Sequence, residues 1–224
     1  MAVEELESQV SSYDAQWERQ WGSDEGVQPG EKWDTQAPSP ALAQLLSSGF
    51  VDVQQKSVVV PGCGRGYDLA LFLEAGAQKA VGLEIAPSAV KSAQQYLSGL
   101  SGLDGREAVV EADFFKYADS CPDESTFDFG YDYTFFCAIH PDLRRAWADS
   151  WAKLLKPGGS LVVLQFPMSD QPSSTGPPWN VSDSAYEEVL ATAGFQRVFH
   201  EKVKAELSHP SRAGREVMAV WRKL

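Results

Sequence analysis

Three glycines with one residue between each stand in Val58-Val-Val-Pro-Gly62-Cys-Gly64-Arg-Gly66-Tyr-Asp68, between a β-branched run and an apolar-periodic stretch. Backbone there must turn tightly and come close to a ligand, which is the chemistry of a nucleotide-type loop at the start of a helix. A dinucleotide fingerprint needs glycine at position 67, where Tyr67 stands, so the spacing favours S-adenosylmethionine as the cofactor. The plainer reading of the motif is a turn with structural glycines.

Glu84 closes the next strand-like run, where an acidic side chain accepts hydrogen bonds from ribose hydroxyls. Asp113 and Phe114 follow the third run. There an acid can accept from an adenine amino group while a ring packs on the base; an N-cap Asp before a core Phe is the simpler alternative. The segment from Phe127 to His140 carries Tyr131, Tyr133, Phe135 and Phe136, and aromatic faces attract a sulfonium cation without offering it a nucleophile. Some of these rings are expected to be ordinary core. Trp17, Trp21 and Trp33 crowd the N-terminal segment, either folding over the cofactor or anchoring a helix. His140 precedes Pro141 and suits a helix cap as well as a catalytic role. His200 and His209 are expected at the surface. Cys63, Cys121 and Cys137 have no metal-ligand spacing, so they read as reduced thiols, and no metal site is expected.

Strand-helix alternation must position these groups. An amphipathic helix is expected over Val3–Trp21, from Leu6, Val10, Tyr13, Trp17 and Trp21, followed by a Pro/Gly-rich loop over Gly22–Pro40 and a short helix over Ala41–Ser48. Strands are expected at Ser57–Val60, Lys79–Ile85, Glu107–Ala112, Thr126–Tyr131, Leu161–Phe166, Phe195–Val203 and Glu216–Trp221. Helices are expected at Tyr67–Ala75, Pro87–Leu97, Pro141–Leu155 and Ser182–Ala193, with Lys156-Pro157-Gly158-Gly159 as a stop, a loop over Met168–Val181 and a turn near Ser208–Gly214. The pattern implies an α/β fold, a doubly wound and mostly parallel sheet with helices on both faces and an antiparallel pair at the end. Ligands of such sheets bind beyond the carboxyl ends of the strands.

At 224 residues and 43% hydrophobic content the chain can bury one large core, so residues 1–224 are expected to form one domain, with 1–40 as helix and lid and 41–224 as the core. Apolar runs fall well short of the roughly 20 residues a membrane span needs. The acidic start lacks a secretory leader, so a cytoplasmic address is expected. A net charge of −12 argues against nucleic acid or anionic membrane as partners and favours a small-molecule substrate. A monomer is favoured over an oligomer.

Taken in order, Trp17-Glu-Arg-Gln-Trp21, Trp33-Asp, the glycine loop, Val81-Gly-Leu-Glu84, Glu111-Ala-Asp-Phe-Phe, Asp132-Tyr-Thr-Phe-Phe-Cys-Ala-Ile, Leu154-Leu-Lys-Pro-Gly-Gly and Gly176-Pro-Pro-Trp179 resemble the thiopurine methyltransferase superfamily. Within it the thiol/halide methyltransferases are the nearest likeness. The resemblance implies a seven-stranded class I methyltransferase fold, with cofactor contacts from Trp17, Trp21, Trp33, Gly62, Glu84, Asp113, Phe114 and Tyr133. It also implies methyl transfer to a soft nucleophile such as a thiol, bisulfide, thiocyanate or halide by in-line displacement. Tyr133, Phe166 and Trp179 are the expected walls of the acceptor pocket. Glu84 stands where the family usually has Asp, Arg65 where a small residue is common, Phe166 in place of Tyr, and His140 in place of an acid. The alternatives are a methyltransferase of the same fold for a larger thiopurine, amine or phenol, and a cofactor-binding sensor without turnover.

Overall fold

Period-2 burial sorts the strands before any helix is placed. In a computed structural model describing residues 15–23, 26–122 and 126–224, β1 (Ser57–Pro61) is buried on both faces from Val58 onward. Continuous β-branched runs of this kind belong in the middle of a parallel sheet. Around it lie β2 (Lys79–Glu84), β3 (Glu107–Glu111), β4 (Phe127–Tyr133), β5 (Leu155–Gln165), β6 (Phe195–Lys202) and β7 (Val217–Lys223). Their order is β3-β2-β1-β4-β5-β7-β6, and β7 runs antiparallel to both β5 and β6. Strand order reverses between β1 and β4, so a crevice opens at their carboxyl ends.

Each face receives alternate side chains. Val59, Val81, Leu161, Val163 and Trp221 point to one core, shared with α5 (Phe114–Ser120), α6 (Arg144–Leu154) and α7 (Asp183–Thr192). Val58, Val60, Tyr131, Val162 and Val220 point to the other, shared with α2 (Pro40–Ser47), α3 (Tyr67–Glu74) and Leu97 of α4 (Pro87–Ser98). Residues 15–21 form the helix α1 as far as it is described; Leu6, Val10 and Tyr13 lie outside the described residues. No helix among the described residues is long and apolar enough to cross a membrane.

Four local expectations are corrected. Lys156–Gly159 does not stop the chain between elements but lies inside β5: Phe127 pairs with Leu155 and Phe129 with Ser160, so these residues are looped out of register. Glycine permits the excursion, since Gly158 has φ +76 and a Cβ on Gly159 would lie 2.8 Å from Lys156 O. Helix α5 was not among the expected elements, although the simpler alternative for Asp113 and Phe114 implies it: Asp113 is its N-cap, accepting from Phe115 N and Lys116 N, and Phe114 is core. The helix expected from Pro141 starts as a 3₁₀ turn, Pro141–Leu143, capped by His140. His209 is half-buried and not fully at the surface: its Nε2 is buried without a hydrogen-bond partner, and burial, then Arg212, lower its pKa.

Candidate active site

The crevice at the end of β1 is shaped by backbone that only glycine tolerates. Gly62, Gly64 and Gly66 have φ of +56, +52 and +84. A Cβ on Gly62 would stand 2.8 Å from Cδ2 of Phe135, so the loop and the β4 end are already in close contact. Thr134, next to Phe135, is a β-branched residue at φ +65. Such strain concentrates at functional sites, and Thr134 lines the cleft together with Gly62, Gly64, Trp21, Trp33 and Tyr133. The cleft is open to solvent, and about 70 Å³ of it admits the centre of a water-sized sphere.

Glu84 lies one hydrogen bond behind the loop. It is 6% exposed; Oε2 accepts from Gly64 N at 3.0 Å and Oε1 from Ile85 N at 2.9 Å and Ala86 N at 3.3 Å. Burial raises its pKa, and these backbone donors oppose the rise. Cys63 sits between the glycines with its thiol raised well above the usual value, first by burial and then by Glu84, so it stays protonated. Cys137 is likewise pushed up to about 12, first by burial and then by Asp132. Neither is a thiolate nucleophile at neutral pH.

The opposite wall is the segment from Gly26 to Ala37, held down by its polar groups. Asp34 is buried and accepts from Arg65 Nε at 2.7 Å, Tyr67 Oη at 3.0 Å, Gln36 N at 2.9 Å and Gly30 N at 3.3 Å. Arg65 Nη2 also donates to Val27 O at 2.7 Å, and Arg212 Nη2 to Trp33 O at 2.7 Å. Behind these pins the three tryptophans gather: Trp33 meets Trp17 at 5.2 Å and Trp21 at 6.3 Å between ring centroids, edge to face. Ala86 and Ala89 at the start of α4 complete that small cluster.

Of the expected cofactor residues, Trp21, Trp33, Gly62 and Tyr133 line one cleft. Glu84 joins through Gly64 and Trp17 through Trp33. Asp113 and Phe114 do not line it. Asp113 Oδ1 is engaged as the cap of α5, and Phe114 packs in the core against Phe135 at 5.2 Å and Trp151 at 5.2 Å. Among the expected acceptor walls, Tyr133 faces the cleft and Phe166 connects to it through Arg212, whose Cζ lies 4.6 Å from the Tyr133 ring and 5.1 Å from the Phe166 ring. Trp179 stands apart, its backbone N–H donating to Cys137 O and its ring edge-on to exposed His140 at 5.1 Å. Tyr133 Oη donates to Glu216, and burial keeps that phenol protonated well above its usual range.

Sequence reasoning missed Asp34, Asp68 and Arg212 as cleft residues. Asp34 had a signal, standing beside Trp33 in a motif read only for its ring. Asp68 accepts from Ser39 N at 3.0 Å, and burial raises its pKa to about 6 while Ser39 and Arg212 lower it. Arg212 lies in a turn whose composition marks nothing.

The thiopurine S-methyltransferase family profile matches residues 13–223. A probable thiol methyltransferase 2 of Arabidopsis thaliana is 38% identical over 92% of this chain and 84% of its own length. A thiocyanate methyltransferase 1 of Brassica oleracea is 36% identical over 93% of this chain and 84% of its own. The fold is shared with a Burkholderia thailandensis 1,6-didemethyltoxoflavin-N1-methyltransferase solved with S-adenosylhomocysteine: TM-score 0.67, 20% identity, covering 100% of this chain and 91% of that one. With the glycine loop, its carboxylate and the aromatic wall assembled at the switch point of such a sheet, the chain belongs to the thiopurine S-methyltransferase family and is an S-adenosylmethionine-dependent methyltransferase.

Proposed function

We propose that the chain moves a methyl group to a small soft nucleophile, a thiol, bisulfide, thiocyanate or halide, by in-line displacement. The observation that carries this reading is the cleft itself, where a glycine-lined floor faces the indole and phenol rings of Trp21, Trp33, Tyr131 and Tyr133. The names of the two plant relatives, thiol and thiocyanate methyltransferases, support the acceptor class.

The residues present fit the cofactor on a physical test. Gly62 and Gly64 carry no side chain into the cleft they line, and the Glu84 oxygens, which can together accept about four hydrogen bonds, receive three from backbone and keep one acceptor position for a hydroxyl. On this reading Gly62 and Glu84 hold the nucleoside end, and Trp17, Trp21, Trp33 and Tyr133 enclose the charged sulfur end. When bound, S-adenosylmethionine supplies an electrophilic methyl on a sulfonium. The chain's own work is alignment and exclusion of water. Tyr133 and the tryptophans attract the cation through their ring faces and present no unprotonated nucleophile to it. Tyr133 and, through Arg212, Phe166 would wall the acceptor. Thiocyanate and halides are already anionic, so no general base is required for them.

The test is turnover by purified protein with S-adenosylmethionine and iodide, bromide, thiocyanate, bisulfide or an aryl thiol, reading methylated product and S-adenosylhomocysteine. Methyl iodide, methyl thiocyanate or methanethiol is the expected product. Activity confined to bulky thiols, amines or phenols would overturn the acceptor class, and tight cofactor binding without any product would favour a sensor.

A further inference from the structure

Two guanidinium groups line the cleft, and their electrostatic states differ. Arg65 is cancelled within the fold, its Nε 2.7 Å from Asp34 Oδ2. Arg212 is 5% exposed, yet among the described residues no carboxylate forms an ion pair with it within 4.0 Å. Its Nη2 is spent on Trp33 O. The aromatic faces of Tyr133 and Phe166 lie 4.6 and 5.1 Å from Cζ. Glu216 is occupied by the Tyr133 phenol, while Asp68 feels the Arg212 charge from beyond contact distance.

A buried charge without a contacting counter-ion is costly unless something completes it. Aromatic faces offset part of that cost by attracting the cation, and the guanidinium edge left uncovered by them is where an anion can meet it. Arginine is the cation for this task, being permanently charged, planar and weakly hydrated. The chain as a whole carries a net charge of −12, so its far field repels anions and their capture must be local.

We propose that Arg212 determines acceptor specificity: its guanidinium, framed by Tyr133 and Phe166, seats the anionic acceptor, so that the cleft selects thiocyanate, bisulfide or halide over uncharged nucleophiles of similar size. This rests on the acceptor class proposed above. The carboxylate at the amino-acid end of the cofactor shares the chemistry an arginine recognises, and the experiment separates the two sources.

Arg212→Gln and Arg212→Lys are compared with the parent protein. S-adenosylhomocysteine affinity is read by calorimetry, thiocyanate affinity by titration into the S-adenosylhomocysteine complex, and KM and kcat by turnover. For Arg212→Gln, thiocyanate KM rises about tenfold or more, as loss of a charge-assisted contact implies, with the loss in KM rather than kcat, while S-adenosylhomocysteine affinity falls several-fold less, by the part due to the lost contact with Trp33 O. Arg212→Lys, which keeps the charge, recovers part of the anion affinity. An S-adenosylhomocysteine affinity that weakens as much as the thiocyanate KM assigns Arg212 to the cofactor carboxylate or to folding and overturns the proposal, as does an unchanged KM. If the parent protein methylates no anion, the acceptor class fails. The seat is then judged by thiocyanate titration alone: binding abolished in Arg212→Gln upholds it, and no binding to the parent protein overturns it.

Discussion

Replacing Asp34 with Ala removes the pin between the glycine loop and the segment that covers the cleft. Its carboxylate, 8% exposed, accepts four hydrogen bonds and cancels the Arg65 charge at 2.7 Å. Deleting one partner of a buried pair costs about 3 to 5 kcal/mol, mostly because the other charge is left unsatisfied. The cost has a ceiling, since residues 26–37 can undock and let Arg65 reach water. The penalty then appears as loss of the Trp33 wall and not as global unfolding. At about 1.4 kcal/mol per tenfold, 3 kcal/mol transmitted to the cleft weakens S-adenosylhomocysteine binding by about a hundredfold. Calorimetric affinity and thermal melting are read together on Asp34→Ala and Asp34→Asn. The Ala variant is expected to lose affinity steeply with a modest drop in Tm. The Asn variant, which keeps an acceptor for Tyr67 and Gln36 but not the charge, falls between it and the parent. An Asp34→Ala protein that binds S-adenosylhomocysteine and melts like the parent would refute the claim that this ion pair holds the wall.

Two further outcomes follow from the geometry. Gly62→Ala meets both a left-handed backbone and the Phe135 ring, whereas Gly49→Ala meets the same backbone hand, φ +74, with nothing within 4 Å. Left-handed strain costs about 1 to 2 kcal/mol in either, so urea unfolding should show a larger loss for Gly62→Ala, and equal losses would sink the close-contact argument. Asp132 has its carboxyl raised from 3.8 to about 6, first by burial, with Phe136 N and Trp147 Nε1 opposing. The folded chain thus holds this proton more tightly than the unfolded chain, and stability falls as pH climbs from about 4 to about 6, then levels. About two pH units at ~1.4 kcal/mol each make this ~3 kcal/mol. Unfolding free energies across that window should decline less steeply in Asp132→Asn, and parallel curves would contradict the assignment.

What the sequence disclosed was local. The glycine loop was legible because β-branched Val58–Val60, three spaced glycines and the apolar face of α3 are contiguous. The mostly parallel sheet followed from strand-helix alternation, and the position of Glu84 from a strand end. Failures fell where a residue's role is set by distant partners or by competing local signals. Lys156-Pro157-Gly158-Gly159 has the composition of a stop, yet strand pairing on either side absorbs it as a bulge. Phe114–Ser120 is too short and too mixed in polarity to announce a helix, and only the cap by Asp113 closes it. Arg65 was visible as an extra cation, but its partner lies 31 positions away, and Arg212 reaches a carbonyl 179 positions away. No window of sequence contains such a pair.

These long-range contacts bear on how the cleft works as a unit. The covering segment is tied to the core at two carbonyls, Val27 O by Arg65 and Trp33 O by Arg212. Arg65 has a carboxylate of that same segment as counter-ion, so its hold is independent of any ligand. Arg212 has none in contact and holds Trp33 with a guanidinium that, in the proposed specificity role, also seats the acceptor. Occupancy of that seat and docking of Trp33 then draw on one group. Whatever favours one arrangement of the guanidinium must shift the other by the same free energy. An anion that neutralises Arg212 while leaving Nη2 on Trp33 O strengthens closure over the reacting atoms. A neutral acceptor contributes no such gain, so the preference for an anion would be written into the fit of the cover as well as into direct contact.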